Sequence, residues 1–309
     1  MRKGLAVFTI ERADYDSTKP SMTPDISISI PVRNGAMTLP TALSAISSSA
    51  AELEYEVIVI DGGSSDGSLD IARDFGCVVI PGDYKLMAAR RLGVELSSAP
   101  AVVLLDADQI LREGSLAEAA KALQDGVDMV ALGERVWQPK TAFQRWSDAD
   151  KELIEMNVAA QTDPMRGVIL PRVFNRQILL EALDAIPASN DPLVLGLDHA
   201  IIYLEVSRIT NRIGYVPSAI FHCEPSSIFE VWKKNYRWGK SIAALNSQGS
   251  YSDLVSAKNR RRWSSSGPLL LKARSMLFLA TKAPAYFGGQ IIGKRQRPIS
   301  EYFVKKREK

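Results

Sequence analysis

Three Asp-x-Asp pairs stand in this sequence: Asp14/Asp16, Asp106/Asp108 and Asp148/Asp150. Two carboxylates so spaced can hold a divalent cation against the phosphates of a nucleotide. Mg2+ and Mn2+ suit oxygen ligands, and Mg2+ favours a few carboxylates plus substrate phosphate over a full protein cage. The pattern is too short to argue alone, so its surroundings must choose among the three. Asp14/Asp16 falls in a loose leader. Asp148/Asp150 shares the spelling "DAD" with Asp106/Asp108 but lies in a helical pattern, where residues two apart point in different directions. Only Asp106 and Asp108 close an apolar run, "VVLLDAD", of the kind that forms a buried strand.

The elements around that run say where it leads. "ISISIP" (26–31), "YEVIVID" (55–61), "CVVIPG" (77–82), "AVVLLDAD" (101–108) and "VDMVALG" (127–133) read as strands. Between them, "TLPTALSAISSSAAEL", "SLDIARDFG", "KLMAARRLGVELSS" and "EGSLAEAAKALQDG" read as helices. Such alternation predicts right-handed βαβ units and a parallel sheet covered on both faces. Ligands bind beyond the C-terminal strand ends of such sheets, which singles out the loops 32–35, 61–67 and 106–109. After about Gly133 the pattern changes. "TAFQRWSDADKELIEMNVAAQ" reads as one long helix, "IGYVPSAIFH" as two short strands and "SSIFEVWKKNYRWGKSIAAL" as an amphipathic helix.

Four segments, in order, carry a resemblance: "SISIPVRNGAMTLPTAL", "YEVIVIDGGSSDGSLDIARDFG", "AARRLGVELSSAPAVVLLDAD" and "GLDHAIIYLEV". From Ile26 to Leu245 the chain resembles the family-2-type inverting glycosyltransferases of the GT-A fold. The resemblance implies an α/β domain with a Rossmann-like, mixed, mainly parallel sheet flanked by helices. It implies nucleotide contacts from Pro31, Val32, Asn34, Asp61, Gly63, Arg90 and Asp106, with Asp61 on the base and Asp106 on the ribose. Asp108 would bind Mn2+ or Mg2+, and Asp198 of "GLDHA" would be the general base that deprotonates an acceptor hydroxyl. His222, at the end of "SAIFH", either joins the metal shell or is a hydrogen-bonded structural residue. "KKNYRWGK" is similar to a degraded "QxxRW" box, with Lys234 in the Gln position and Arg237 and Trp238 matching. Those two residues would contact diphosphate or acceptor. Departures are also visible: Arg33 replaces the usual aromatic, Gly62 a frequent second Asp, Arg91 a usual Asn and Leu197 the usual Glu.

The net charge of +3 hides an asymmetry. Residues 258–309 hold fourteen Lys/Arg and two acids, a net of +12, so the remainder carries −9. A basic tail on an acidic body suggests an anionic partner. Residues 1–24 read as the leader, 25–248 as the catalytic domain and 249–309 as a basic C-terminal region. Within the domain, the nucleotide-sugar half runs to about 133 and the acceptor half from about 134. "SMLFLATKAPAYFGGQIIG" approaches the length of a membrane span, about 20 apolar residues, but Lys282, Pro284 and a Gly pair interrupt it. It reads either as an interfacial amphipathic helix or as a helix packed on the domain. Two distant cysteines and the lack of a signal-peptide pattern suit a cytoplasmic protein. With the tail, this places the chain at the inner face of the membrane. The expected activity is metal-dependent, inverting transfer of a sugar, UDP-linked by preference, to a lipid-linked or glycan acceptor. A retaining transferase acting on a small soluble acceptor is the alternative. Nucleic-acid binding through the tail is a reading from another class, and no recognition motif supports it.

Overall fold

The computed structural model describes residues 23–259 and 267–294, so the leader up to residue 22 and the basic stretches 260–266 and 295–309 lie outside the described residues. Its strands are β1 (Ile26–Val32), β2 (Tyr55–Asp61), β3 (Val78–Ile80), β4 (Ala101–Leu104), β5 (Gln109–Leu111), β6 (Met129–Val136), β7 (Pro171–Asn175) and β8 (Ile213–His222). They form one sheet in the order β3-β2-β1-β4-β7-β6-β8-β5. β1 pairs in parallel with β2 and β4, β2 with β3, and β6 with β8. β7 runs antiparallel between β4 and β6, and β5 antiparallel beside β8. The sheet is therefore mixed and mainly parallel. Helices α1 (Leu39–Ala50), α2 (Ser68–Asp74), α3 (Leu86–Leu96) and α4 (Ser115–Gln124) make the early crossovers.

Central strands bury both faces, as parallel sheets require. Val103 of β4 and Leu105 just beyond it join a core with Leu39, Leu43 and Ile46 of α1 and Leu116 of α4. Val102 and Leu104 feed the opposite core, with Leu179 of α7 (Arg176–Asp184) and Ile201 and Ile202 of α8 (Asp198–Ile209).

Three local expectations need correction. The strand expected over 101–108 ends at Leu104. The Asp106 N–H donates to the Gln109 side chain at 3.0 Å and the Gln109 N–H to the Asp106 carbonyl at 3.0 Å, closing a turn into β5, a strand too short to read from periodicity. The long helix expected over 141–161 is two helices, α5 (Ala142–Glu155) and α6 (Val158–Gln161). Asn157 leaves helical geometry (φ −134°, ψ 41°) between them. Residues 213–222 form one strand rather than two. Ser218, at φ 45°, occupies an irregularity in its pairing with β6, held by Glu155, which accepts from its N–H and hydroxyl at 2.8 and 2.9 Å.

The second "DAD" has structural partners. Asp148 accepts from Arg135 Nε and Nη2 at 2.9 and 2.7 Å, and Asp150 accepts from Ser275 at 2.5 Å. Ser275 belongs to α11 (Leu269–Lys294), which follows α9 (Ile228–Ser247) and α10 (Ser252–Asn259) and packs on α5 and α9. No helix among the described residues is long and apolar enough to cross a membrane.

Candidate active site

The C-terminal ends of β1 and β4, the start of α8, the end of β8 and one side of α9 converge on a cleft of about 740 Å³. Pro31, Asn34, Arg90, Asp106, Asp108, Asp198, His222, Arg237 and Trp238 all line it. Val32, Asp61 and Gly63 do not. Val32 is buried, and Asp61 turns its carboxylate onto its own loop, accepting from the N–H groups of Gly63 (3.1 Å) and Ser64 (3.0 Å). Asn34 ties the first two loops together. At φ 53° it accepts from Ser65 N–H at 2.8 Å while its own N–H donates to Ser64 Oγ at 2.9 Å.

Arg90 is the hub. It sits on α3 with 1% of its surface exposed. Gly93, one turn on, lets that helix approach β1 so closely that a Cβ there would overlap Ser29. Nε of Arg90 donates to Asp198 Oδ2 at 2.5 Å, and Nη2 donates to Asp106 Oδ1. The guanidinium of Arg90 thus links the carboxylate of Asp106, just beyond β4, to the first residue of α8, 108 positions after Arg90 in the chain. Arg91, beside it, turns away and donates to the Ile186 carbonyl at 3.1 Å.

Sequence reasoning missed the second ring of charge. Arg172 of β7 donates to Asp106 Oδ2 at 3.1 Å and to Glu134 Oε1 at 3.0 Å, and contacts His199 Nε2. Lys151 of α5 reaches Glu134 at 2.8 Å and Glu224 at 3.8 Å. The available signal was charge inside apolar strands: Glu134 in "MVALGERV" and Arg172 in "PRVFN". Burial of a charge without a partner costs several kcal/mol, so such residues imply partners even where the sequence cannot name them.

Electrostatics follow from this packing. Burial alone would push Asp106 upward, but Arg90 and Arg172 outweigh it and hold its carboxyl well below the usual range. Burial likewise opposes charge on Asp198, where Arg90, then His199, prevail and hold the carboxyl below its ordinary value. His199 is pushed down to about 4 by burial and by Arg172 and Arg90. It is therefore neutral at pH 7, its Nε2 accepting from Arg172. His222 moves the other way: Asp108 and Glu224 outweigh burial and raise it.

Register explains the last pair. β8 sets His222 opposite Gln109 of β5, directly beside Asp108. His222 Nε2 lies 3.4 Å from Asp108 Oδ2, and its Nδ1 lies 3.5 Å from Glu224 Oε1. A carboxylate behind an imidazole orients the ring for metal ligation, and a mixed oxygen–nitrogen set suits Mn2+. Among the described residues no group of three or more His, Cys, Asp or Glu side chains could hold a metal ion. The residues present fit a cation held by Asp108 and His222 and completed by substrate phosphate; Mg2+ would rest on Asp108 and phosphate oxygens alone. Lys234 Nζ stands 3.9 Å from Asp108 and 5.1 Å from the Trp238 ring centre. With Arg237, Lys258 and Lys282 it gives the cleft a cationic lining that attracts phosphorylated ligands.

Residues 27–180 match the model of glycosyl transferase family 2. The glycosyltransferase AglE of Haloferax volcanii is 28% identical over 239 residues, which cover 71% of this chain and 73% of that protein. An undecaprenyl-phosphate 4-deoxy-4-formamido-L-arabinose transferase of Aeromonas hydrophila is 33% identical over 131 residues, 38% of this chain and 40% of that protein. Among solved structures, S. aureus TarS 1-349 superposes with a TM-score of 0.50 at 13% identity, covering 85% of this chain and 81% of that one, a likeness of fold. The matched residues hold Asp61, Arg90, Asp106, Asp108 and Arg172, and the chain belongs to glycosyl transferase family 2, a glycosyltransferase built on a GT-A sheet.

Proposed function

We infer that this enzyme transfers a sugar from a nucleotide-diphosphate donor, UDP-linked by preference, to a lipid-linked acceptor with inversion at the anomeric carbon. The observation that carries the reading is the Arg90 clamp, which draws Asp106 and Asp198 into one cleft. An inverting transfer is one in-line displacement and needs both sides of the anomeric carbon served at once. Asp106 and Asn34 line the donor side, with Asp108 and His222 as the residues that would hold Mn2+ or Mg2+. A bound cation would stabilise charge on the departing diphosphate. Lys234, Arg237 and Trp238 on α9 supply further contacts for diphosphate or acceptor. Asp198, kept ionised by Arg90, is the group in the cleft that would receive the proton of a hydroxyl acceptor.

The lipid-linked acceptor draws support from the Aeromonas relative, whose name specifies an undecaprenyl phosphate, and from the basic C-terminal region, which suits attachment to the inner face of a membrane. One observation favours a phosphate over a hydroxyl as the attacking group. Arg90 depresses Asp198 and so weakens it as a base, whereas a phosphate nucleophile is already ionised. Asp198→Ala separates the two. Near-complete loss of transfer with donor binding preserved establishes a hydroxyl acceptor, and little loss establishes a phosphate. Retention of configuration in the product, read by NMR, would refute the inverting assignment altogether.

A further inference from the structure

Surface helices of soluble proteins turn their apolar stripe inward, and α11 is built the opposite way. Its buried positions include Ser275, Gly289 and Gly293. A Cβ on Gly289 or Gly293 would come within 3.0 Å of the backbone of α9, and one on Gly239 of α9 would overlap the Tyr286 carbonyl. The two helices thus touch backbone to backbone through small residues; Phe278 packs inward on Phe143 of α5, and most of the other bulky apolar side chains of α11 are left outside. Its exposed positions before the terminal Lys294 are all apolar, and Ala273, Met276, Leu277, Ala280, Pro284, Phe287 and Ile291 recur every three to four residues. α9 extends the surface with Ile228, Phe229, Trp232 and Tyr236, all exposed. Trp232 Nε1 donates to the Thr281 carbonyl at 2.8 Å, which joins the two stripes into one face.

Charge says what covers that face. α11 carries Lys272, Arg274, Lys282 and Lys294 and no acidic residue; α9 carries Lys233, Lys234, Arg237 and Lys240 against the single acid Glu230. The sequence on either side of α11 adds Arg260, Arg261 and Arg262 before it and Arg295 and Arg297 after it. Exposed apolar stripes on two helices rich in cations, three of which (Lys234, Arg237 and Lys282) line the adjoining cleft, with Trp232 and Tyr236 exposed among them, match the boundary between headgroups and acyl chains of an anionic bilayer. A second copy of the chain would bring the same cations against these and be repelled. Neither helix is long and apolar enough to cross the bilayer, so the contact is lateral.

We propose that the shared outward face of α9 and α11 is a monotopic docking surface for anionic membrane. The proposal rests on the membrane attachment inferred above and names the surface responsible. It also sets the acceptor's route. Lys234, Arg237 and Trp238 of α9 and Phe278 and Lys282 of α11 line the catalytic cleft, so the helices that lie on the bilayer also form one wall of the site. A lipid-borne phosphate would enter from the membrane plane beside them.

The test is flotation of the full chain with vesicles of phosphatidylcholine alone and of phosphatidylcholine with phosphatidylglycerol. It compares wild type with the triple variant Leu277→Gln, Phe287→Gln, Ile291→Gln. All three positions are solvent-facing, and circular dichroism with UDP-sugar binding in solution reports that the variant is folded. Wild type is expected to float with anionic vesicles, and the triple variant to partition at least tenfold more weakly while binding donor normally. Wild type that stays unbound overturns membrane attachment itself. Equal flotation of both proteins leaves attachment standing and overturns this surface. A wild-type dimer in sedimentation that the triple variant converts to monomer would reassign the face to self-association.

Discussion

Replacing Arg90 with Met keeps the volume of the side chain and removes the guanidinium that two carboxylates share. Asp198, 10% exposed at its side chain, would lose its 2.5 Å partner. Asp106, 29% exposed, would keep Arg172 at 3.1 Å. Removing one member of a buried pair costs about 3–5 kcal/mol, because the other charge is left uncompensated. The retained Arg172 contact and the exposure of Asp106 place the expected cost near the lower end, about 3 kcal/mol, or roughly a hundredfold in the unfolding equilibrium. Urea unfolding at pH 7.5 should show a lowered midpoint with an unchanged slope. Adding Asp198→Asn removes the orphaned charge, so the double variant should be more stable than Arg90→Met alone. The pH dependence carries a sign. In wild type, Asp198 lies below its ordinary value, so its contribution is present above about pH 4 and is lost as pH falls. Without Arg90 that depression should shrink, so the deficit of Arg90→Met should narrow as pH falls toward about 4, where the wild-type contribution is itself lost. A cost below about 1 kcal/mol, or a double variant no better than the single, would show that Arg90 does not hold these carboxylates together.

Three further outcomes are expected. His199, held near 4 in the fold against 6.5 unfolded, takes up protons on unfolding between those values, so stability should fall as pH drops from 7.5 to 5.5 by about 1.4 kcal/mol. His199→Asn should remove that slope in parallel denaturation curves; an unchanged slope would mean that His199 titrates normally. Gly239→Leu forces a side chain into the Tyr286 carbonyl and should unseat α11, lowering stability by about 3 kcal/mol as an overpacked contact does, whereas a neutral effect in urea would deny the backbone contact between α9 and α11. His222→Ala should weaken Mn2+ binding in the presence of UDP at least as much as losing the carboxylate behind a ligating imidazole does, about tenfold or more, measured by electron paramagnetic resonance. Unaltered affinity would leave Asp108 without its nitrogen partner.

Much of the donor half was legible because its determinants are local. Continuous apolar runs ending in Asp61 and Asp106 disclose buried strands and the edge where ligands bind, and the difference between the two "DAD" pairs follows from period alone. The turn at Asp106 escaped because a side chain, that of Gln109, makes it. Long-range partners escaped for a related reason. Glu134, Lys151, Arg172 and Glu224 neutralise one another across elements far apart in sequence, and no short window contains both members of any pair. Asp61 illustrates the limit of motif reasoning: its position at the end of β2 was legible, while the two backbone N–H groups it accepts from are visible only in three dimensions. The C-terminal region read equally as a packed or an interfacial helix; α11 does pack on the domain, through Phe278 and glycines, and leaves a row of apolar residues exposed, which sequence periodicity alone could not apportion.

A metal-assisted donor site at Asp106, Asp108 and His222 stands or falls on a donor screen. The purified chain is incubated with UDP-, GDP- and dTDP-sugars, with Mn2+, with Mg2+ and with chelator, and donor binding and hydrolysis are followed together. UDP-sugars are expected to bind and turn over only with a divalent cation, and Asp108→Ala to abolish that metal-supported binding and turnover. If no nucleotide sugar binds with either metal present, the claim is wrong.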